Sequence, residues 1–126
     1  MWSYKIVTGD LLNPNGAIVG RGYSGGNCGK NLEGLNNVLM MSIKDIGPLP
    51  FGLYTLGSPI LESHLGKFAI PLTPDSTNIM FNRGGFYVHG DLMSGPPNSA
   101  SEGCIILPRP TRELMWASPD HLLLVY

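Results

Sequence analysis

Apolar and polar positions alternate in short runs along the chain, and residues that favour turns separate one run from the next. The first run, WSYKIVTG, alternates as a half-buried strand does. The next segment, LLNPNG, holds the asparagines, proline and glycine of a turn, and AIVGRGYSG resumes the apolar pattern. These features predict that the chain opens with a β-hairpin.

Six further short apolar runs predict strands. A Pro/Gly turn in GPLPFGLYTLGSPI leads into a strand around Leu53 to Leu56. The other runs that predict strands are KFAIPL, NIMFN, FYVHG, CIIL and HLLLVY. The segment from Asp91 to Glu102 is polar and rich in Gly, Pro and Ser, so we expect a loop between FYVHG and CIIL.

Helix-like spacing is confined to two regions. Residues 27–45 contain NLEGLNNVLMMSIKD, where a glycine and the asparagines weaken the helical pattern, so this region is predicted as a loop with at most a short helix. The segment TRELMWAS is the better candidate, with Thr111 as the N-cap and Pro119 as the stop. The remaining periodicity is that of strands.

Composition fits a single β-rich domain. The chain has 126 residues, of which 43% are apolar and 13% charged, and its 17 glycines and 11 prolines divide it into short elements. We therefore predict one domain over residues 1–126 with a mainly β fold, a compact β-sandwich or partly closed barrel of short strands with one or two short helices.

Charge and hydropathy exclude several classes of function. The eight Lys and Arg residues are scattered and the formal net charge is −1, so no clustered basic surface for nucleic acid is expected. No run reaches the roughly 18 apolar residues of a membrane span, and the N-terminus lacks the layout of a signal peptide. The two cysteines allow at most one disulfide, and we predict no cofactor and no metal.

His89 in VHGD and Cys104 in SASEGCIIL carry the clearest chemistry. A thiol attacks as the thiolate, but an unperturbed cysteine has a pKa of about 8.5 and is little ionised at neutral pH. An adjacent imidazole can lower that pKa and then return a proton to a leaving amine. Because His89 ends one predicted strand and Cys104 opens the next, we expect the two side chains to meet at one end of the sheet.

Two neighbours of Cys104 complete this hypothesis. Gly103 can adopt unusual dihedral angles that direct its own N–H and that of Cys104 at an oxyanion, and Ser101 can cap the turn or hold the imidazole. Simpler interpretations remain open, since a cysteine before an apolar run is most often a small buried hydrophobe and a histidine at a strand end is most often structural. A metal site of His89, Asp91 and Cys104 is disfavoured because no paired-ligand spacing such as CxxC or HExxH is present.

The combination VHGD…SASEGCIIL resembles the signature of L,D-transpeptidases of the YkuD type, and PFGLYTLG resembles a strand entry upstream in that superfamily. The short chain, the early GYSGG and the GPLPFGLYTLG stretch are more closely similar to the Tlde1 family, L,D-transpeptidase-like effectors of type VI secretion systems. This resemblance implies an L,D-transpeptidase-like catalytic domain with Cys104 as nucleophile, His89 as base, the amides of Gly103 and Cys104 as oxyanion donors, and Ser101 in support.

The resemblance also implies a substrate. It would be the tetrapeptide stem of peptidoglycan, cleaved between the diamino acid and the terminal D-alanine through a thioester. Water as the second reactant gives carboxypeptidase activity, a free D-amino acid gives exchange, and the amine of a second stem gives a cross-link. The alternatives are a cysteine endopeptidase or amidase that cuts another stem bond, and a non-catalytic wall-binding or phage structural module.

Substrate contacts are less well defined by the resemblance. Many relatives have an arginine soon after the Cys-Ile pair, where this chain has Ile106, so we expect Arg109, or else Arg112 or Arg83, to bind the substrate carboxylate. Tyr23 and Ser24 are candidates for lining the cleft. Asp91 is expected to order its loop or to contact the substrate amine, and the Glu102 carboxylate is expected to point away from the thiol. His64 is taken as surface or structural. Cys28 should not form a disulfide with Cys104.

Deployment follows from the resemblance alone. It implies a protein made in the cytoplasm, delivered without a signal peptide, and acting as an antibacterial toxin in the periplasm of a target cell. A cognate immunity protein would be its partner in the producing cell.

Overall fold

Nine short strands and one α-helix form the computed structural model, which describes residues 1–126. The strands are β1 (Trp2–Lys5), β2 (Asp10–Leu12), β3 (Ile18–Arg21), β4 (Tyr23–Ser24), β5 (Gly52–Leu56), β6 (Ile70–Pro74), β7 (Tyr87–His89), β8 (Ile105–Ile106) and β9 (Leu122–Val125). The helix, α1, spans Arg109–Ala117. Single 3₁₀ turns occur at Asn27–Gly29, Leu32–Gly34 and Val38–Met40.

All nine strands belong to one sheet that curves almost into a closed barrel. Its order is β3-β2-β1-β9-β5-β6-β7-β8-β4, so β3 and β4 lie at opposite edges although only Gly22 separates them in sequence. The Gly22 N–H donates a hydrogen bond to the Gly9 carbonyl at 2.9 Å, which fixes the chain where it passes from β3 to β4. The prediction of a mainly β, partly closed barrel is therefore confirmed.

The inward faces of the strands form one apolar core of 16 buried residues. Trp2, Tyr4 and Leu11 enter it from the N-terminal strands, while Val88 and Ile105 enter it from β7 and β8. The core thus fixes β7, which ends at His89, and β8, which directly follows Cys104. None of the helical segments has the length and apolarity of a membrane-crossing helix.

The single N-terminal hairpin predicted from the sequence is wrong in its register. Leu11 and Leu12 belong to β2 rather than to a turn, because Leu11 is fully buried and pairs with Tyr4 of β1. The chain therefore turns twice, once before β2 and once at Asn13, whose side chain accepts hydrogen bonds from the N–H groups of Asn15 and Ala17. These two turns produce an antiparallel meander of β1, β2 and β3.

The predicted helix is present, but Thr111 is not its N-cap. The helix begins at Arg109 with Pro108 at the cap position and Pro110 in the first turn, where the missing N–H of a proline does no harm. Thr111 is instead buried within the helix against the sheet. The helix ends at Ala117, ahead of Pro119 as predicted.

The strand predicted for NIMFN is absent. Phe81 and Asn82 adopt φ values of 55° and 58°, which are incompatible with a continuous strand. The Asn78 side chain accepts a hydrogen bond from the Leu53 N–H at 3.2 Å and donates one to the Leu53 carbonyl at 2.9 Å. Asn78 therefore substitutes for a neighbouring strand at the start of β5. Residues 27–45 contain no helix beyond the 3₁₀ turns, as expected of a loop.

Candidate active site

The sheet brings His89 and Cys104 to one face. Strands β7 and β8 pair in parallel with Val88 opposite Ile105 and His89 opposite Ile106. Because Val88 and Ile105 point into the core and side chains alternate along a strand, His89 and Cys104 share the opposite face. Strand spacing and residue rise place their Cα atoms about 8 Å apart on a diagonal. Both residues therefore lie at the same end of the sheet and line one cavity.

A cavity of about 540 Å³ opens on this face and is lined by fourteen residues. Eight of them are charged, titratable or nucleophilic, namely Cys28, Lys44, Asp45, His64, Arg83, His89, Glu102 and Cys104. No group of three or more His, Cys, Asp or Glu side chains is arranged to hold a metal ion. The cavity therefore offers two thiols, two imidazoles and two charges of each sign to a ligand.

His89 is arranged as a neutral base. Its Nδ1 lies 2.9 Å from the Gly90 carbonyl, and because a carbonyl only accepts hydrogen bonds, Nδ1 carries the proton and Nε2 keeps its lone pair. The side chain is only 3% exposed, and burial lowers the pKa of His89 below its ordinary range, against the opposing effect of the Gly90 carbonyl. The imidazole can therefore accept a proton at neutral pH.

Cys104 is a neutral thiol in this structure. Its Sγ accepts a hydrogen bond from the Tyr87 N–H at 3.3 Å, and no hydrogen bond joins it to His89. Burial raises the pKa of Cys104 to about 11, with a further increase from the Glu102 carboxylate and an opposing effect of the Tyr87 N–H. The expectation of a thiol pKa lowered by the imidazole is therefore wrong for this arrangement, because desolvation is the largest effect and the two side chains are not hydrogen-bonded.

Ser101 organises the turn that carries Cys104. Its fully buried hydroxyl donates to the Cys104 carbonyl at 2.6 Å and accepts from the N–H groups of Gly25 and Gly103 at 2.8 and 3.0 Å. Of the two roles expected for Ser101, the structure shows the cap of the turn, and no hydrogen bond to His89 is formed. The hydroxyl therefore links the turn to the end of β4.

Gly103 is required by the space and dihedral angles of this turn. Its φ is 135°, and a Cβ atom would lie 2.5 Å from Arg83 Nη2 and 2.7 Å from the Phe86 ring. Its N–H already donates to Ser101, whereas the Cys104 N–H makes no hydrogen bond within the chain. The Cys104 amide is thus available to donate to an oxyanion. The Gly103 amide could do so only if its hydrogen bond to Ser101 were broken.

Tyr23, Ser24 and Asp91 lie outside the cavity lining. The Ser24 hydroxyl donates to the Gly103 carbonyl at 2.9 Å and accepts from the Leu49 N–H at 2.9 Å, so it supports the turn from behind. The Tyr23 hydroxyl donates to the Asp91 carboxylate at 2.7 Å. Asp91 also accepts from the Leu92 N–H at 3.0 Å, which is the loop-ordering role rather than a contact with a ligand.

The three candidate arginines differ in access to the cavity. Arg109 is on the helix surface, where it pairs with Glu113 at 2.8 Å and stacks over the Phe68 ring. Arg112 is buried and donates to backbone carbonyls outside the cavity lining. Only Arg83 lines the cavity. The assignment of Arg109 as a carboxylate ligand is therefore not supported by its position.

The sequence does not predict that Lys44, Asp45, His64 and Cys28 line the cavity. Lys44 and Asp45 come from the 3₁₀-rich loop, and His64 lies in the turn before β6, where its ring meets Tyr87 edge-on. Cys28 is a free thiol that donates to Glu102 Oε1 at 3.6 Å, and Cys104 is also free. Glu102 therefore turns towards Cys28. Nothing in a single sequence marks these residues, because tertiary folding alone brings their segments to the cavity.

A comparison with known protein families agrees with this organisation. The profile described as the Tlde1 domain matches residues 20–121, a segment that contains every residue of the cavity lining. No curated protein and no solved structure matches the chain. Because the match extends over most of the chain, this protein belongs to the Tlde1 family.

Proposed function

We propose that this protein is a cysteine enzyme that removes the terminal D-alanine from tetrapeptide stems of peptidoglycan. The observation that carries the proposal is the cavity where Cys104 and a buried, neutral His89 share one face of adjacent strands. The likeness of VHGD…SASEGCIIL to L,D-transpeptidases supports the choice of the bond between the diamino acid and D-alanine.

The first half of the reaction is acyl transfer to the thiol. As Sγ of Cys104 attacks the carbonyl carbon of the diamino acid, Nε2 of His89 takes the thiol proton. The Cys104 N–H is free to donate to the oxyanion of the tetrahedral intermediate. When the intermediate collapses, the carbon–nitrogen bond breaks, the imidazolium returns its proton to the leaving amine, and D-alanine departs from a thioester.

The second half releases the stem. His89 Nε2 takes a proton from water as the water attacks the thioester, and the thiolate leaves and regains that proton from the imidazolium. The products are a tripeptide carboxylic acid and the free thiol. A D-amino acid in place of water gives exchange, and the amine of a second stem gives a cross-link.

The neutral thiol and neutral imidazole define how the nucleophile would be activated. With the pKa of Cys104 raised and that of His89 lowered by burial, an ion pair is not the resting state. Proton transfer therefore accompanies attack rather than preceding it. A bound substrate would also bring its scissile carbonyl close to the thiol, where the gain from positioning is realised.

The proposed setting is interbacterial antagonism. Membership of the Tlde1 family is consistent with a type VI secretion effector. We infer that the protein is made in the cytoplasm, is delivered into the periplasm of a rival cell, and weakens the wall there by shortening stems that cross-linking requires. A cognate immunity protein would protect the producing cell.

The test is incubation of the purified protein with disaccharide-tetrapeptide, with products identified by mass. We expect tripeptide and free D-alanine from the wild type and no product from Cys104→Ala or His89→Ala. Cys28→Ala is the matched cysteine control and should retain product release, because the Cys28 thiol bonds to Glu102 and has no imidazole partner.

Two results would contradict the proposal in different ways. Cleavage of another stem bond that depends on Cys104 would identify an endopeptidase or amidase. Unchanged substrate with a protein shown by circular dichroism to be folded would instead favour a wall-binding or phage structural module.

A further inference from the structure

A carboxypeptidase must recognise a free carboxylate one residue beyond the bond it breaks. If the proposed function is right, the terminal D-alanine carries that negative charge into the cavity beside Cys104. Carboxylates in such sites are usually bound by arginine or lysine. The cavity lining contains two such side chains, Arg83 and Lys44.

Arg83 is already engaged by the protein. Its Nη1 donates to the carbonyls of Met41 and Pro48 at 2.6 and 2.8 Å, and its Nη2 donates to those of Gly47 and Glu102 at 3.0 and 3.1 Å. The side chain is 8% exposed and lies over the Phe86 ring. Both terminal nitrogens of the guanidinium therefore serve the fold, and the paired geometry that binds a carboxylate is not available.

Arg83 nevertheless fixes the position of residues 41–48, the segment that contains Lys44. Three of its four carbonyl acceptors belong to residues 41–48, and the fourth belongs to Glu102, two residues before the nucleophile. The guanidinium thus holds this segment against the turn that carries Cys104. Lys44 lies within the segment, and its backbone is further bounded by the hydrogen bond from the Gly47 N–H to the Ile43 carbonyl at 2.9 Å.

Lys44 is the uncommitted cation of the cavity. Lys44 is exposed to solvent, and its ammonium group makes neither a salt bridge nor a hydrogen bond within the chain. All three of its donors are therefore free for a ligand. We propose that Lys44 binds the terminal carboxylate of the substrate and so makes the enzyme selective for stems that end in a free D-amino acid.

The acidic side chains of the lining limit where that carboxylate can lie. Asp45 follows Lys44, and Glu102 precedes the Gly103-Cys104 turn, so both would repel a carboxylate that approached them. The two cations of the lining, Arg83 and Lys44, balance its two acids, Asp45 and Glu102. A carboxylate is therefore attracted at Lys44 and not by the cavity as a whole, which makes removal of this one charge a sharp test.

The experiment compares disaccharide-tetrapeptide with the same compound carrying a C-terminal carboxamide. We expect amidation to lower kcat/KM of the wild type by about tenfold or more, which corresponds to about 1.4 kcal/mol. In Lys44→Met the acid should lose this advantage, so that both substrates are cleaved at similar rates, whereas Lys44→Arg should retain part of it. Lys5→Met removes an exposed lysine outside the cavity and should behave as the wild type.

Retention of the full preference by Lys44→Met would overturn the inference and direct attention to the remaining Nε–H and charge of Arg83. Binding to the inactive Cys104→Ala protein, measured by calorimetry for the acid and the amide, provides a second readout that needs no turnover. If neither substrate is cleaved by the wild type, the proposed function fails, yet a binding preference for the acid that disappears in Cys104→Ala/Lys44→Met would still support Lys44. Equal binding of acid and amide to Cys104→Ala would overturn the assignment.

Discussion

At the scale of single residues, burial governs the chemistry of the cavity. Desolvation acts on Cys104 and His89 in opposite directions on their pKa values but favours the neutral form of each. If Cys104 is the nucleophile, as we propose, its reactivity depends on His89, which is already deprotonated at neutral pH. A neutral thiol is slow to alkylate or oxidise, so Cys104 is expected to react slowly with small reagents in the free protein.

The first prediction concerns the titration of Cys104. In a Cys28→Ala background, the rate of alkylation by iodoacetamide should rise about tenfold per pH unit between pH 7 and pH 9, as expected of a thiol whose pKa lies well above that range. Glu102→Gln should increase the rate at each pH, because its carboxylate raises the pKa of Cys104. Mass spectrometry of the labelled peptide gives the rate directly.

The matched control for this titration is Cys28 in a Cys104→Ala background, since it is the more exposed thiol in the same cavity. A labelling profile of Cys104 that levels off below pH 8 would show a pre-formed thiolate and contradict the neutral resting pair. The mechanism would then begin from an ion pair with His89 instead of a neutral base.

At the scale of elements, the Ser101 hydroxyl makes three of the hydrogen bonds that hold the end of the loop between β7 and β8. Ser101 Oγ joins the Gly103 N–H, the Cys104 carbonyl and the Gly25 N–H, so it connects the nucleophile turn to the segment after β4. Ser24 provides a second link through the Gly103 carbonyl. The position of Cys104 therefore depends on two buried serines that never reach the cavity.

The second prediction removes this link. Ser101→Ala leaves two N–H groups and one carbonyl without their partner, and each buried unsatisfied group costs about 1–3 kcal/mol, so we expect the free energy of unfolding to fall by at least about 3 kcal/mol. D-Alanine release should also fall, with kcat more affected than KM, because the thiol is displaced while the rest of the lining is kept. Urea denaturation and steady-state kinetics measure the two effects.

Ser58→Ala is the matched control, because Ser58 is exposed and its side chain makes no hydrogen bond within the chain. It should change neither quantity. If Ser101→Ala unfolds at the same urea concentration as Ser58→Ala, the three hydrogen bonds do not hold the turn, and another contact must determine the position of Cys104.

The sequence predicts the strands around His89 and Cys104 well, but it does not predict that Lys44 and Asp45 line the same cavity. The strands around His89 and Cys104 follow from short apolar runs separated by a polar loop, and their proximity follows from chain order. Lys44 and Asp45 reach the cavity because Arg83 binds backbone carbonyls of their segment, and carbonyl acceptors leave no pattern in a sequence. The missing strand at NIMFN has a similar cause, since the Asn78 side chain pairs with the Leu53 backbone.

At the scale of the whole molecule, closure of the barrel connects the N-terminal strands to the site. The segment Ile18–Ser24 pairs with β2 through β3 and with β8 through β4, so one stretch of chain belongs to both edges of the sheet. Tyr23 and Ser24 of β4 lie opposite Ile106 and Ile105 of β8. The strand that follows Cys104 is therefore clamped between β7 and the closing segment.

The last prediction opens this closure at Gly22. A Cβ atom there would lie 1.7 Å from the Ile106 carbonyl oxygen, which belongs to backbone and cannot move without separating β4 from β8. Gly22→Ala should therefore lower the free energy of unfolding by at least about 3 kcal/mol, the upper end of ordinary overpacking. The corresponding decrease in Tm, measured by calorimetry, is roughly 10 °C for a domain of this size.

Gly84→Ala is the matched control, because a Cβ atom at Gly84 meets nothing within 4 Å and its φ is not left-handed. It should leave Tm unchanged or slightly higher. Below its transition, Gly22→Ala should also alkylate Cys104 faster than the wild type, since a loosened β8 admits water and reduces the desolvation that raises the thiol pKa. A lower Tm with an unchanged alkylation rate would mean that barrel closure stabilises the fold without controlling the nucleophile.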